Sequence, residues 1–225
     1  MDVACAFRRE SDLVKAFNAF LERTGLPTDR RVLTEFESGH GIADLVMFST
    51  YERFDKLAPK LAVLSPRYAV IFGRGLLPTE FSAQQFGELT GTGMPSSVRY
   101  LNMLVKHEVL QHAGNGIYRN ELRVRCPIET IVSIEAKLSE WQKALRQAYR
   151  YREYSHQSWV LLDAAKAAPA LAQIERFTRS GIGLASINTR GQLFIHYEPP
   201  VAAPFSESRF WAACVHLARL HLEHL

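Results

Sequence analysis

Apolar residues recur at helical spacing through Leu13, Val14, Phe17, Phe20 and Leu21, which predicts a helix over 10–23. Ser11 is placed to cap it, and Gly25 with Pro27 ends it. Two strand-like runs follow, 31–37 and 42–48, joined by the turn Ser38-Gly39-His40-Gly41, which predicts a hairpin. The stretch 49–78 fits helices at 52–64 and 66–76, although YAVIF (68–72) also reads as a strand. Beyond Pro78, helices are predicted at 81–90 and 96–107 around the turn Gly91-Thr92-Gly93, the second with apolar Val98, Leu101, Leu104 and Val105. Gly114-Asn115-Gly116 between two short apolar pairs is a tight hairpin signal. Then come a β-branched strand at 129–137, a long helix at 138–154 and a strand at 158–162. A helix at 171–180, two strands at 183–188 and 192–197, the connection EPPVAAP (198–204) and a terminal helix at 210–225 complete the pattern.

The outer segments therefore read as one α/β domain, 1–50 with 121–225, interrupted by a mainly helical insertion at 51–120. Three cysteines, Cys5, Cys126 and Cys214, stand apart without C-x-x-C spacing, which argues against a disulfide framework and a cysteine zinc site. The opening residues lack the apolar core of a signal peptide and no run approaches membrane-spanning length, so the expectation is a soluble, cytoplasmic chain without a membrane partner. A net charge of +4 permits an acidic partner such as nucleic acid without demanding one.

Chemistry concentrates at Ile134-Glu135-Ala136-Lys137. Side chains alternate along a strand, so Glu135 and Lys137 project from one face while Val132, Ile134 and Ala136 face a core. Asp44 is likewise set within an apolar strand, where an unpartnered carboxylate is costly. Two carboxylates on neighbouring strands suit a hard divalent cation, which polarises a phosphoryl oxygen and acidifies a bound water. An ammonium beside them stabilises developing charge.

This Asp…Glu-x-Lys arrangement, with a helix following Lys137 and Gln147 and Tyr151 spaced i, i+4 upon it, resembles the PD-(D/E)XK nuclease superfamily. The resemblance spans about 8–50 and 128–200 and implies a restriction-endonuclease-like fold, a mixed central sheet flanked by helices. It implies Mg²⁺ or Mn²⁺ held by Asp44, Glu135 and the Ala136 carbonyl, with Lys137, Gln147 and Tyr151 as further catalytic residues. It makes Glu10 the leading candidate for an added acidic ligand, ahead of Glu22; Glu35 and Glu37 share a hairpin face and are further candidates. The gap of 91 residues between Asp44 and Glu135 departs from the family's compact hairpin and calls for an insertion.

Within that insertion, 66–120 resembles a winged helix-turn-helix. Pro95 falls in the first turn of the implied recognition helix. Ser96, Ser97, Arg99, Tyr100, Asn102 and Lys106 are its candidate DNA contacts, with Asn115 and Arg119 at the wing. A second basic strip, Lys143, Arg146, Arg150 and Arg152 interleaved with Tyr149, Tyr151 and Tyr154, suits a phosphate backbone or a solvated face. His216, His221 and His224 lie on the terminal helix, whose broad apolar face suits core packing or a homodimer contact better than metal binding; His40 sits in the hairpin turn near Asp44. The leading expectation is a Mg²⁺-dependent endodeoxyribonuclease; the alternatives are a non-catalytic DNA- or protein-binding module on the same scaffold and an RNA-directed nuclease. On this reading, Asp44→Ala or Lys137→Ala abolishes metal-dependent DNA cleavage while the fold survives.

Overall fold

The computed structural model describes residues 6–25, 30–38, 41–120 and 126–223. Cys5, Pro27, His40 and His224 lie outside these residues. The elements are α1 (Glu10–Thr24), β1 (Arg30–Glu37), β2 (Ile42–Thr50), α2 (Phe54–Ala62), α3 (Ala69–Gly73), β3 (Glu80–Ser82), α4 (Ala83–Thr90) and α5 (Met94–Lys106). They continue with β4 (Leu110–Gly114), β5 (Ile117–Asn120), β6 (Ile128–Lys137), α6 (Trp141–Tyr151), β7 (Gln157–Asp163), α7 (Ala168–Leu171), α8 (Ile174–Ser180), β8 (Gly183–Ile187), β9 (Leu193–Tyr197) and α9 (Glu207–Glu223). The chain forms two compact units, 1–50 with 129–206, and 51–128 with 207–225.

The first unit is a mixed sheet in the order β1-β2-β6-β7-β8-β9, flanked by helices. β6, β7 and β8 run parallel, while β1 with β2 and β8 with β9 run antiparallel. Alternation along β6 and β7 feeds two cores. Ile134, Ala136 and Leu161 join Leu13 and Phe17 of α1 on one face. Val160 and Leu162 join Trp141, Ala144, Leu145 and Ala148 of α6, with Phe177 of α8, on the other. Glu135, between Ile134 and Ala136, is thereby turned to the α6 side.

The second unit holds the sheet β3-β5-β4 with α2–α5 and α9. Ser82 caps α4 through a reciprocal box with Gln85, so Phe81 and Ser82, predicted as the start of the helix, belong to the strand β3 instead. YAVIF is helical at its core, α3. Gly91 ends α4 at φ 69, and Pro95 opens α5. A side chain at Gly87 would meet the Thr92 carbonyl at 2.7 Å, so the close approach of α4 to the following turn requires glycine.

Three boundaries differ from expectation. Ser11 lies inside α1, whose N-cap is Arg9 without a side-chain hydrogen bond. Helix α6 starts at Trp141, not Leu138. The terminal helix belongs to the second unit, not to the sheet domain in which the pattern put 207–225. Its buried Trp211, Cys214, Leu217 and Ala218 provide the apolar face. Arg219 anchors it by donating to the carbonyls of Ala62 and Leu64 at 2.8 Å each, the free end of α2. His221, buried, sits 3.0 Å from Asp55, a structural role rather than a metal pair. Cys126 and Cys214 are not isolated: their free thiols lie 3.4 Å apart, and burial pushes the Cys214 thiol up. Among the described residues, no helix is long and apolar enough to cross a membrane.

The tightest joint in this unit is Gly73, where a side chain would meet the Trp211 ring at 2.4 Å. Gly73→Ala is therefore expected to destabilise the protein by about 1–3 kcal/mol, the usual cost of overpacking, read as an earlier midpoint in urea titration. An unchanged midpoint would contradict this packing.

Candidate functional site

β2 and β6 are neighbours running in opposite directions, since Asp44 meets Ala136 while Ser49 meets Thr130. At the Asp44 end, the Ala136 N–H donates to Asp44 Oδ2 at 2.7 Å. The carboxylate thus grips the β6 backbone at the residue between Glu135 and Lys137.

The ammonium of Lys137 occupies the middle of the site. Its Nζ lies 3.0 Å from Glu135 Oε1, 3.1 Å from Glu10 Oε2 and 3.8 Å from Asp44 Oδ2. It also donates to the Ala136 carbonyl at 3.1 Å. Every oxygen source that the Asp…Glu-x-Lys pattern nominated for a metal therefore surrounds one cation. Glu135 is almost wholly buried, at 1% exposure, whereas the Asp44 and Glu10 side chains are 30% and 45% exposed. Solvent reaches the cluster from the Asp44–Glu10 side.

Burial pushes the carboxyls of Asp44 and Glu135 above their ordinary range. The hydrogen bond from Ala136 and the charge of Lys137 only partly offset this at Asp44, as the Tyr151 hydroxyl and Lys137 do at Glu135. Burial alone would push Lys137 down, but its hydrogen bond and attraction to Glu135, then Asp44 and Glu10, hold it above its ordinary value. Raised carboxyls disfavour folding once pH exceeds their folded values; a raised lysine favours folding until pH passes its own. At neutral pH the two carboxylates cost stability and the ammonium restores some.

Tyr151 is buried under Glu135, and the negative charge above adds to burial in holding its hydroxyl protonated. That hydroxyl is 2.7 Å from Glu135 Oε2 and 2.6 Å from the Ile42 carbonyl, one proton facing two acceptors. It ties α6 to both β2 and β6. Gln147, one turn earlier, has a buried Oε1 without a hydrogen-bond partner among the described residues. Tyr154, packed on Phe36 and Tyr151, is a neighbour not picked out as part of the site from the pattern, although i, i+3 spacing from Tyr151 signals it.

Glu35 falls opposite Asp44 in the β1–β2 register, between Thr34↔Leu45 and Phe36↔Ala43, at a left-handed φ of 54. Its charge helps raise the Asp44 carboxyl. Glu37 pairs with Ile42 in the same register and is exposed. Among the described residues, no three His, Cys, Asp or Glu side chains form a ready metal cluster. The Lys137 ammonium stands between the three carboxylates. A cavity of about 370 Å³ on the α1 side, lined by Phe17, Phe20, Met47, Trp159 and Ile195, lacks the convergent carboxylates and is a separate feature.

The candidate nucleic-acid contacts divide. On α5, Ser96, Arg99, Asn102 and Lys106 are exposed, Asn102 accepting from the Tyr118 hydroxyl at 2.9 Å. Ser97 and Tyr100 are corrected to structural positions. Ser97 is fully buried at i, i+4, i+7 with Leu101 and Leu104. Tyr100 stacks on Phe86 and accepts from the Ser65 N–H, and burial pushes its hydroxyl up to about 12. Arg119 pairs with Glu80 across the β3–β5 ladder at 2.6 Å. On α6, Lys143, Arg146 and Arg150 are exposed. Arg152 leaves that strip: it is buried, donates to the Ser155 and Ala203 carbonyls and lies 5.0 Å from the centre of the Phe205 ring.

No protein-family model, curated protein or solved structure matches the chain.

The same electrostatics gives a test without a substrate. Asp44→Asn preserves an acceptor for Ala136 but removes a desolvated charge, so it is expected to raise the neutral-pH melting temperature of the metal-free protein. The wild-type deficit should shrink as pH falls towards the ordinary carboxylate values, 3.8 for Asp and 4.5 for Glu. A lower melting temperature for Asp44→Asn at neutral pH would contradict the assignment of strain. Lys137→Ala is no longer a clean probe of chemistry, because it strands the buried Glu135 at a cost of about 3–5 kcal/mol.

Proposed function

We propose that the chain is a metal-dependent endonuclease of the PD-(D/E)XK type, acting on DNA phosphodiester bonds. The observation that carries this reading is the convergence of Glu10, Asp44, Glu135 and the Ala136 carbonyl on a single cation, the Lys137 ammonium. Three carboxylates outnumber one ammonium there, and the donors are hard oxygens open to solvent on one side. This donor chemistry fits Mg²⁺ or Mn²⁺ and does not suit a soft metal.

Asp44, Glu135 and the Ala136 carbonyl would hold the ion, with Glu10 as a fourth source of oxygen. The ion, when bound, supplies Lewis-acid polarisation of the phosphoryl group and acidification of a water. Lys137 then faces the reacting phosphate as a fixed positive charge and stabilises the charge that develops on its oxygens. Tyr151 fixes Glu135 and the start of β2 together, so the two carboxylates keep their spacing. Gln147 brings an unpaired carbonyl oxygen that suits a water hydrogen bond. The arrangement of α4, α5 and the β4–β5 hairpin supports a winged helix-turn-helix as an accessory DNA-binding module. Its remaining candidate contacts are Ser96, Arg99, Asn102 and Lys106.

The test is cleavage of plasmid and oligonucleotide DNA and of RNA with Mg²⁺, Mn²⁺ or EDTA. Wild type is expected to cut DNA with either ion and not in EDTA. Asp44→Asn and Glu135→Gln should each lose about a hundredfold or more in rate, as fits direct ligands when outer partners already cost ten- to a hundredfold. Cleavage confined to RNA would change the substrate class, and failure on every substrate with both ions would overturn the proposal.

A further inference from the structure

A second group of side chains converges away from the carboxylates, on the outer surface of the first unit. Gln142, Lys143 and Arg146 lie on the first two turns of α6, Gln142 and Arg146 at i, i+4. Arg176 comes from the first turn of α8, thirty residues further along the chain. Together with Glu140 they line one shallow concavity. The two helices are brought side by side by their shared core, Trp141 and Ala144 of α6 against Phe177 of α8.

The charges in this concavity are unequal. Lys143 approaches Glu140 at 3.6 Å, an exposed pair. Neither Arg146 nor Arg176 pairs with a carboxylate among the described residues. Arg176 is nonetheless held in place, its guanidinium 5.2 Å from the centre of the buried Trp141 ring. Two helices thus bring two guanidiniums without carboxylate partners among the described residues, and an amide, into one depression. Like charges repel, and an anion entering between them relieves that cost. Guanidinium forks match the paired oxygens of a phosphodiester, and Gln142 adds a neutral donor.

We propose that Gln142, Lys143, Arg146 and Arg176 form a phosphate-binding subsite for the backbone of duplex DNA. The subsite deepens the nuclease reading by naming a place where substrate is gripped outside the carboxylate cluster. It rests on the nucleic-acid part of that reading and is independent of the cleavage chemistry. Arg176 is the member that no linear reading of the basic strip on α6 includes. Arg150 of the same strip lies outside the concavity.

The experiment is fluorescence anisotropy of labelled duplex DNA with the full chain in EDTA, titrated at several KCl concentrations. Arg146→Gln with Arg176→Gln is expected to weaken binding on the order of tenfold or more. It should also flatten the slope of log K against log[KCl] by about 2, since each lost phosphate contact removes roughly 0.9. Both arginines are exposed, so the double variant should melt like wild type. Arg179→Gln is the control; its arginine pairs with Glu175 outside the concavity, and its slope should not move. Unchanged affinity and slope in the double variant would overturn the subsite, as would weaker binding with an unchanged slope, or no duplex binding by wild type. A retained slope effect in a protein that never cuts DNA supports the subsite while removing the nuclease assignment.

Discussion

The Lys137 ammonium sits where the first unit gathers its negative charge. Glu10 from the start of α1, Asp44 from β2 and Glu135 from β6 all face it, and Ala136 offers its carbonyl from the adjoining residue. Glu10 and Lys137 are 127 residues apart in sequence, so the ammonium ties the start of α1 to the end of β6. The ammonium neutralises enough charge for the strands to close, yet leaves the carboxylates short of satisfaction. Around it, ordinary packing does the rest, with apolar alternation filling both faces of the sheet.

That balance explains why the strand interior tolerates groups that a purely structural sheet would exclude. Glu135 sits between Ile134 and Ala136 at nearly zero exposure. Tyr151 contacts one of its oxygens and Lys137 the other, which offsets only part of the cost of burial. Asp44 accepts from the Ala136 N–H on the neighbouring strand. Glu35, across from it, adopts a left-handed backbone that a glutamate rarely accepts. Such departures cluster where structure is traded for chemistry.

Much of this is legible in the sequence. Apolar and β-branched runs locate β2, β6 and β7, and the Glu-x-Lys spacing sets Glu135 and Lys137 on one face. The resemblance makes Glu10 a candidate ligand, but its contact with Lys137 is not legible, because no local pattern encodes a contact across that separation. Ser97 and Tyr100 misled because small and aromatic polar residues look like DNA contacts in a list of letters. Their phase relative to Leu101 and Leu104 decides otherwise. Arg152 misleads similarly: its charge suggests surface, but the main-chain carbonyls of Ser155 and Ala203 draw it inward. The strand β3 at Glu80–Ser82 escapes the pattern, which starts a helix at Phe81, because three residues carry too little periodicity to announce a strand. The terminal helix was amphipathic on inspection, but amphipathicity names a buried face and not the partner that buries it.

The membership of α9 in the second unit gives the chain an interleaved connectivity, with each unit assembled from two separated stretches. During synthesis, α2 and α3 emerge long before Glu207–Glu223 is made to cover them. Until then α2 and α3 lack the helix that packs on them. The sheet likewise waits for β6 before the β1–β2 hairpin can be flanked. Both loop closures are long, and closure entropy grows only slowly with length, so the native arrangement is not heavily penalised. The vulnerable interval is instead kinetic: a nascent chain stalled before α9 displays an exposed hydrophobic surface, a natural substrate for a chaperone.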